Sequence, residues 1–576
     1  MSIFAGDWRG FGPNLPGHIL FGGKLRQRGD GRARQAFTAL AFAAAFTIIG
    51  LRLLWLGGNF ASADPAGRHA DLSTAVDRPV IVDRRGRILA ADIKTGSLFA
   101  DPQQIVDIDD TVEQLTAILP RLDGTELRKR LQGKTRFQWI ARKLTPREQQ
   151  MIHELGLPGI HFVQEPQRVY PSGAEAAHIL GHVNIDNQGM AGIETWIDRA
   201  PPISRATAGE IIGSTEAGTL ELAMDLGVQH ALRSALSDAM TRYRAKAAAG
   251  LVMDIHSGEV LALSSLPDYD PNNREQALDT NRLNRLTSGV YELGSVFKVI
   301  TTAAALDNGT VSLESGYDAS KPLKIGGHTI RDFHAKNRWL SVPEIFIYSS
   351  NIGSARMALD LGVERHKAFL KKLGLLEQMR TELGDSATPL VPRRWKRVST
   401  MTISFGHGLS VTPLHLAAAS AAILNGGYKV EPTFLKRSRE EARVRSSRVI
   451  KQQTSEAMRY LFRLNVLRGS GKRAEVPGYR VGGKTGTAEK VVNGRYSKSA
   501  LLNSFLAAFP MDAPEYLVLI MLDEPKATPE TGGKATAGVN AAPVAGQVIS
   551  RIAPMLGVLP RTKGAPRFDE PFPASY

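Results

Sequence analysis

Tyr291-Glu292-Leu293-Gly294-Ser295-Val296-Phe297-Lys298 sets a serine and a lysine three residues apart at the mouth of an apolar run. On a helix those two side chains lie on one face, one above the other. The run from Val299 to Leu306 ends at Asp307-Asn308-Gly309, where a buried helix would stop. Gly294 carries no side chain and lets another segment approach the serine closely. A serine hydroxyl is a poor nucleophile until a base takes its proton, and a lysine whose pKa is lowered in a dry pocket can be that base. One S-x-x-K is weak evidence, because an N-capping serine beside a solvated lysine gives the same pattern. This chain holds a single copy of it, and two companions follow.

The first companion is Ser349-Ser350-Asn351, which taken alone reads as a helix cap or a turn. The second is Lys484-Thr485-Gly486-Thr487, following Val481-Gly482-Gly483 on an expected inner strand. A glycine inside a strand marks close approach by another backbone or a ligand, and Thr485 and Thr487 would face the same side of it. A lysine and two hydroxyls along one short strand make a site for a carboxylate. S-x-x-K, S-x-N and K-T-G in this order, on helix, loop and strand, are far more specific together than singly.

Outward from this centre, 576 residues exceed what one core serves, so two or more domains are expected. The absence of cysteine excludes disulfides, thiolate metal sites and cysteine nucleophiles. The net charge of +16 is scattered among acidic residues except near the amino terminus and between Lys436 and Lys451. No recognition helix, zinc finger or aromatic RNA-binding signature accompanies it, which argues against nucleic acid and for an anionic surface such as a membrane or cell wall. Residues 1–35 read as a basic cytoplasmic leader carrying Lys24, Arg26, Arg28, Arg32 and Arg34. Residues 36–57 read as a single transmembrane anchor helix with its amino-terminal side in the cytoplasm. A cleaved signal peptide is the rival, since Ala61-Ser62-Ala63 resembles a cleavage site.

Residues 58–218 form an expected mixed pedestal domain. Its hairpin runs from Arg78 to Ala90 around Asp83-Arg84-Arg85-Gly86, and two helices, Asp110–Leu119 and Thr125–Leu131, are separated by Pro120 and Gly124. His178 and His182 have zinc-ligand spacing without the intervening glutamate of H-E-x-x-H, so packing or capping is expected of them. Residues 219–560 form the second domain. Hairpins are expected at Gly250–Ile255 with Glu259–Ser264 and at Asn503–Phe509 with Tyr516–Leu522, and helices over Ser295–Gly309, Val342–Leu361, Pro413–Leu424 and Val544–Ala553. Strands at both ends with helices between imply an α+β fold: one mostly antiparallel sheet with helices over its faces. Residues 561–576 read as a loose, Pro-rich tail.

The three motifs resemble those of the penicillin-recognising serine enzymes. Arg168 to Val183, Gly192-Ile193-Glu194, the hairpin from Gly250 to Asn272 and Ser404-Phe405-Gly406-His407-Gly408 extend the resemblance to class B penicillin-binding proteins, which are single-pass peptidoglycan transpeptidases with a non-catalytic pedestal. It implies a penicillin-binding/β-lactamase-like transpeptidase domain, with Ser295 as nucleophile and Lys298 as its base. Ser349 would relay protons, and Asn351 would orient Lys298 and the substrate amide. Lys484, Thr485, Gly486 and Thr487 would form the strand that holds a terminal carboxylate, and the backbone amides of Ser295 and Thr487 an oxyanion hole. It implies no cofactor and no metal, because each step is acyl transfer. The implied partners are peptidoglycan stem peptides, β-lactams, the membrane, and other division and wall-synthesis membrane proteins including a glycosyltransferase. Ser350 departs from the S-D-N pattern. Ser404 to Pro413, Leu522 to Pro525 and Ala535 to Pro543 resemble the septal members of the class, the alternatives being an elongation transpeptidase, a hydrolase, or a penicillin-binding sensor or scaffold without turnover.

Overall fold

A computed structural model describes residues 39–52, 78–200, 218–325 and 328–561. The chain divides into two units, residues 1–74 and 75–576. In the first, residues 39–52 are helical. The expected anchor, 36–57, is described only over that stretch, and among the described residues no helix is long and apolar enough to cross a membrane. The expected leader lies outside the described residues, as does the tail beyond Arg561.

The second unit opens on the expected hairpin, Val80–Val82 and Ile88–Ala100. Its turn is built by Asp83, whose carboxylate accepts from the backbone N–H groups of Arg85 and Arg87, each at 2.9 Å. The second strand is longer than the sequence suggests because it is central: Gln138–Ala141 and Ile160–Val169 both pair with it, antiparallel. The helices Ile108–Ile118 and Gly124–Leu131 are each capped by an aspartate, Asp107 and Asp123. They cover this sheet over a small core that includes Leu98, Leu115, Leu127, Ile140 and Ile152. His178 and His182 pack edge-on against Tyr269, and His178 Nε2 lies 2.7 Å from the Arg282 carbonyl, so both serve packing.

Val80–Val82 also pairs, in parallel, with Thr219–Glu221, which leads into the helix Leu226–Tyr243. Arg85 and Arg87 reach the carboxylate of Asp225 at 2.6 and 3.1 Å, beside the amino terminus of that helix. Beyond this seam lies a five-stranded antiparallel sheet in the order Gly482–Val492, Arg495–Phe509, Tyr516–Asp523, Ala247–Asp254, Val260–Leu266. Both faces are covered, so its strands read as apolar runs rather than as alternations. Val518, Ile520 and Leu522 face Leu226–Tyr243 and Ala541–Met555, whereas Leu517, Leu519 and Met521 face a helical layer built around Lys298–Asp307. That last helix is buried along its whole face from Lys298 to Ala305, which places it at the centre of its layer.

Two expectations are corrected. The strand carrying Lys484 is an edge strand, not an inner one, because all four other strands of the sheet lie on one side of it. The expected helix Val342–Leu361 is two helices, Val342–Ile347 and Asn351–Leu361, broken where Ser349 takes a left-handed φ of 57°. The first ends in a turn at Tyr348, and the second starts afresh with Ser350 as its cap.

Candidate active site

Ser295 sits in a 3₁₀ turn, Gly294–Phe297, that leads directly into Lys298–Asp307, so Ser295 and Lys298 are one turn apart. Lys298 Nζ lies 2.9 Å from Ser295 Oγ, 3.0 Å from Ser349 Oγ, 2.6 Å from the Ser349 carbonyl and 2.8 Å from Asn351 Oδ1. The helix break makes this possible, since the left-handed residue turns both the carbonyl and the hydroxyl of Ser349 toward one amine. The amide of Asn351 is oriented by its other end, where Nδ2 donates to the Arg331 carbonyl at 3.1 Å. Asn351 therefore offers oxygen to the lysine. Two of the four neighbours, the Ser349 carbonyl and Asn351 Oδ1, can only accept. A neutral amine satisfies both with its two N–H groups and turns its lone pair toward the hydroxyls.

The electrostatics favour that neutral form. Lys298 is 1% exposed and lacks a carboxylate in contact among the described residues. Burial lowers its pKa well below the ordinary lysine value, and the neighbouring charge of Lys484 lowers it further, against a weaker pull from Asp332. Lys484 is fully buried, and that burial alone brings it down to about 7. Its Nζ lies 3.0 Å from Ser349 Oγ, so the Ser349 hydroxyl bridges the two lysines.

The edge position of the Lys484 strand brings it to the nucleophile. A Cβ on Gly294, whose φ is +59°, would stand 2.8 Å from the Thr487 carbonyl oxygen, and one on Gly486 would stand 2.7 Å from the Leu293 carbonyl oxygen. Only glycine at both positions lets turn and strand meet. In an antiparallel ladder a residue's N–H and C=O project to the same side. Thr487, with its carbonyl beside Gly294, thus turns its N–H to the free edge next to Ser295. Thr485 Oγ1 lies 2.6 Å from Ser470 Oγ, and Thr487 Oγ1 accepts from the Ala537 N–H at 3.1 Å.

All the residues singled out by sequence converge here: Ser295, Lys298, Ser349, Asn351, Lys484, Thr485, Gly486 and Thr487. Sequence reasoning missed Ser470 and Asp332. Ser470 lies between Gly469 and Gly471, a serine on a turn of small residues that could have drawn notice. It is held by the buried Asn465, which accepts from Ser470 N at 3.1 Å and donates to the Gly483 carbonyl at 2.7 Å. Asp332 accepts from Ser350 Oγ at 2.7 Å and from Ile352 N at 2.9 Å. The serine in the middle of the S-x-N motif therefore faces the helix cap and a carboxylate supplied by a separate loop, not the reaction centre.

A serine in contact with a dry lysine, and a serine hydroxyl that bridges this lysine to a second one on a strand edge, define a serine acyl-transfer enzyme of the penicillin-binding kind. The comparisons agree: residues 248–550 match the penicillin binding protein transpeptidase domain, and residues 73–195 match the penicillin-binding protein dimerisation domain. The chain belongs to this family. It is 40% identical over 547 residues to the probable peptidoglycan D,D-transpeptidase FtsI of Caulobacter vibrioides, covering 93% of this chain and 91% of that one. It is 30% identical over 543 residues to the peptidoglycan D,D-transpeptidase FtsI of Escherichia coli K12, covering 88% and 89%. Among solved structures, penicillin binding protein 3 of Mycobacterium tuberculosis, complexed with aztreonam, shares the fold with a TM-score of 0.63 at 23% identity, over 84% of this chain and 98% of that one.

Proposed function

We propose the following course of reaction for this protein, a peptidoglycan D,D-transpeptidase. The observation that carries it is the contact of Lys298 Nζ with Ser295 Oγ at 2.9 Å inside a pocket whose dryness lowers the pKa of the amine well below the ordinary lysine value. A donor stem peptide lies along the free edge of the Lys484 strand with its terminal carboxylate at Lys484, Thr485 and Thr487. That carboxylate favours the charged form of Lys484, so binding near pH 7 takes up a proton. Ser295 Oγ attacks the carbonyl between the last two D-alanines as its proton passes to Lys298. The oxyanion that forms meets the N–H groups of Ser295 and Thr487. Ser349, in reach of both lysines, returns the proton to the leaving amine, and D-alanine departs. The amine of a second stem peptide then resolves the ester, forming the cross-link and restoring the Ser295 hydroxyl. β-Lactams acylate the same serine.

The setting we propose is the division septum. The chain would be held in the inner membrane by residues 36–57, with its amino terminus in the cytoplasm and its catalytic domain in the periplasm. Support comes from the basic residues preceding the apolar run and from the two FtsI relatives, each matched over most of its length. Its partners would be other division and wall-synthesis membrane proteins, a glycosyltransferase among them. Depletion tests the role: loss of a septal enzyme gives long filaments, and cells that swell into spheres while still placing septa would overturn it. Protease treatment of intact spheroplasts tests the topology, since a catalytic domain that survives external protease is not periplasmic.

A further inference from the structure

An open cavity of about 430 Å³ is lined by residues that the chemistry above does not use, among them Glu292, Leu390, Val391, Pro392, Thr402 and Ser410. Glu292 precedes Ser295 by three residues, on the loop leading into its turn. Gly408 also lines the cavity, and its loop, Ser404–Gly408, is locked to that turn: Gly294 N donates to the Gly406 carbonyl at 3.3 Å, and Gly408 N donates to Glu292 Oε1 at 2.7 Å. Tyr496 OH donates to the same carboxylate, 3.1 and 3.0 Å from its two oxygens. No lysine or arginine among the described residues forms an ion pair with Glu292, whose contacts are these neutral donors. His407, tilted against Phe405 and edge-on to Tyr496, has a buried Nδ1 without a partner among the described residues. Burial holds its pKa below the ordinary value, so it brings no compensating charge. Glu489 adds a second carboxylate to the field at His407 and Tyr496. Glu292 is thus a carboxylate at the cavity's wall without a cationic partner among the described residues, in a chain of net charge +16 whose Arg393, Arg394, Lys396 and Arg397 follow the lining segment Leu390 to Pro392.

We propose that this cavity docks the second substrate of the reaction, a peptide bearing a primary amine, and takes that amine in its ammonium form against Glu292. The proposal rests on the reading of Ser295 as the acylated residue. The cavity shares no lining residue with the slot formed by Lys484, Thr485 and Ser349, so donor and acceptor are held at once. The two slots have opposite signs. The cationic one suits the terminal carboxylate that only a donor must present, and the anionic one suits the ammonium that only an acceptor must present. Charge therefore sorts the two peptides before any bond forms, with Glu292 as a positioning and specificity residue and Lys298 still the base.

The purified full-length chain is given an acyl-D-alanyl thioester donor, and release of the acyl group from the enzyme is followed with two nucleophiles. D-Alaninamide enters as a cation; hydroxylamine is uncharged at neutral pH. Glu292→Gln, which keeps an oxygen for Gly408 N, is expected to raise the half-saturating concentration of D-alaninamide about tenfold with its plateau rate within about twofold. Capture by hydroxylamine should stay within about twofold, and Glu292→Asp should recover part of the loss. Leu390→Lys, at a rim position that is 62% exposed, should weaken D-alaninamide in the same way by repulsion, less so in salt. Unchanged half-saturation in both variants overturns the proposal. So does an equal loss with hydroxylamine, which marks damage at Ser295. It is also overturned if Glu292→Gln slows acylation by ampicillin but not by benzylpenicillin, because the cavity then holds a donor's amino group. If the thioester leaves no acyl mass on wild-type Ser295, the transpeptidase reading falls and this one with it; the intact-mass measurement identifies that case.

Discussion

The molecule buries charge in two places and handles it in opposite ways. In the pedestal, Glu194 is fully buried and flanked by two buried arginines, with Arg78 Nε at 2.8 Å and Arg168 Nε at 2.7 Å from its two oxygens. Asp198 takes a second nitrogen of Arg78 at 2.6 Å, and Tyr170 donates to Glu194 at 3.2 Å. Burial is the largest single influence on Arg168 and lowers its pKa, yet the charge and hydrogen bond of Glu194 together with the charges of Asp92 and Tyr170 outweigh it and raise it. In the active site, Lys298 and Lys484 are equally dry, but their contacts are hydroxyls and carbonyls, and burial lowers both. Opposite signs in a dry place keep their charges and fix a fold. Like signs without counterions surrender a proton, and the neutral amine that results is a base. The pedestal cluster is built to stay unchanged, whereas the lysine pair is built to titrate.

Ser295→Ala draws the sharpest line between the two regions. It should abolish the covalent penicillin adduct completely while leaving the melting temperature nearly unchanged, since only a hydroxyl is lost. Intact-protein mass reads this, and an adduct at wild-type yield would remove Ser295 from the mechanism. Lys298→Met should lower the acylation rate by about a thousandfold and hold or raise stability, because it takes a desolvated amine out of the core. If stability falls instead as it does for a broken ion pair, the amine was charged and paired. Glu194→Ala is the mirror image. It removes the carboxylate that two buried arginines share, leaving Arg78 with Asp198 and Arg168 with Asp92, and should cost about 3 kcal/mol, seen as a loss in urea midpoint, while the folded fraction acylates at the normal rate.

The smallest effect is a slope. The pKa of Lys484 is lowered from 10.5 to about 7 in the folded protein, so between those values the unfolded chain binds a proton that the folded one does not. Stability contributed by this site is complete above the unfolded pKa and is lost as pH falls toward 7. Lys484→Met should remove a slope of at most about 1.4 kcal/mol per pH unit across that window. Urea titrations from pH 7 to 10 measure it. An unaltered slope would mean that Lys484 keeps its charge in the empty site.

Much of this was legible in the sequence because the decisive residues lie close together along the chain. Ser295 and Lys298 share one turn, Lys484 to Thr487 share one strand, and each hairpin announces itself through its own turn. What was not legible depends on contacts between distant segments. That the Lys484 strand lies at an edge follows from a strand order in which Tyr516–Asp523 pairs with Ala247–Asp254, which no local pattern specifies. The break at Ser349 was read past because apolar residues continue on both sides of Ser349-Ser350-Asn351, although those three alone read as a cap or turn, and the left-handed residue there brings the Ser349 carbonyl to Lys298. Asp332 was invisible for a similar reason, since it reaches Ser350 Oγ and Ile352 N at the start of that helix from a separate loop. The pedestal cluster joins residues 116 positions apart, and its partners could not be matched from spacing.

The free edge of the Lys484 strand has one more consequence. An unpaired strand edge is ordinarily an invitation to any extended chain, and proteins guard such edges against unwanted pairing. Here the turn at Gly294 covers part of the edge, and a fully buried lysine stands at the place where a guest strand would have to continue. A polypeptide threading past that point would push an uncharged amide against Lys484 and Thr485, with no carboxylate to meet them. With the donor placed as proposed above, the strand edge would favour chain termini over continuous chains. An enzyme of this shape can work among folded and unfolded proteins without digesting them, because it recognises where a chain stops before it recognises what the chain is made of.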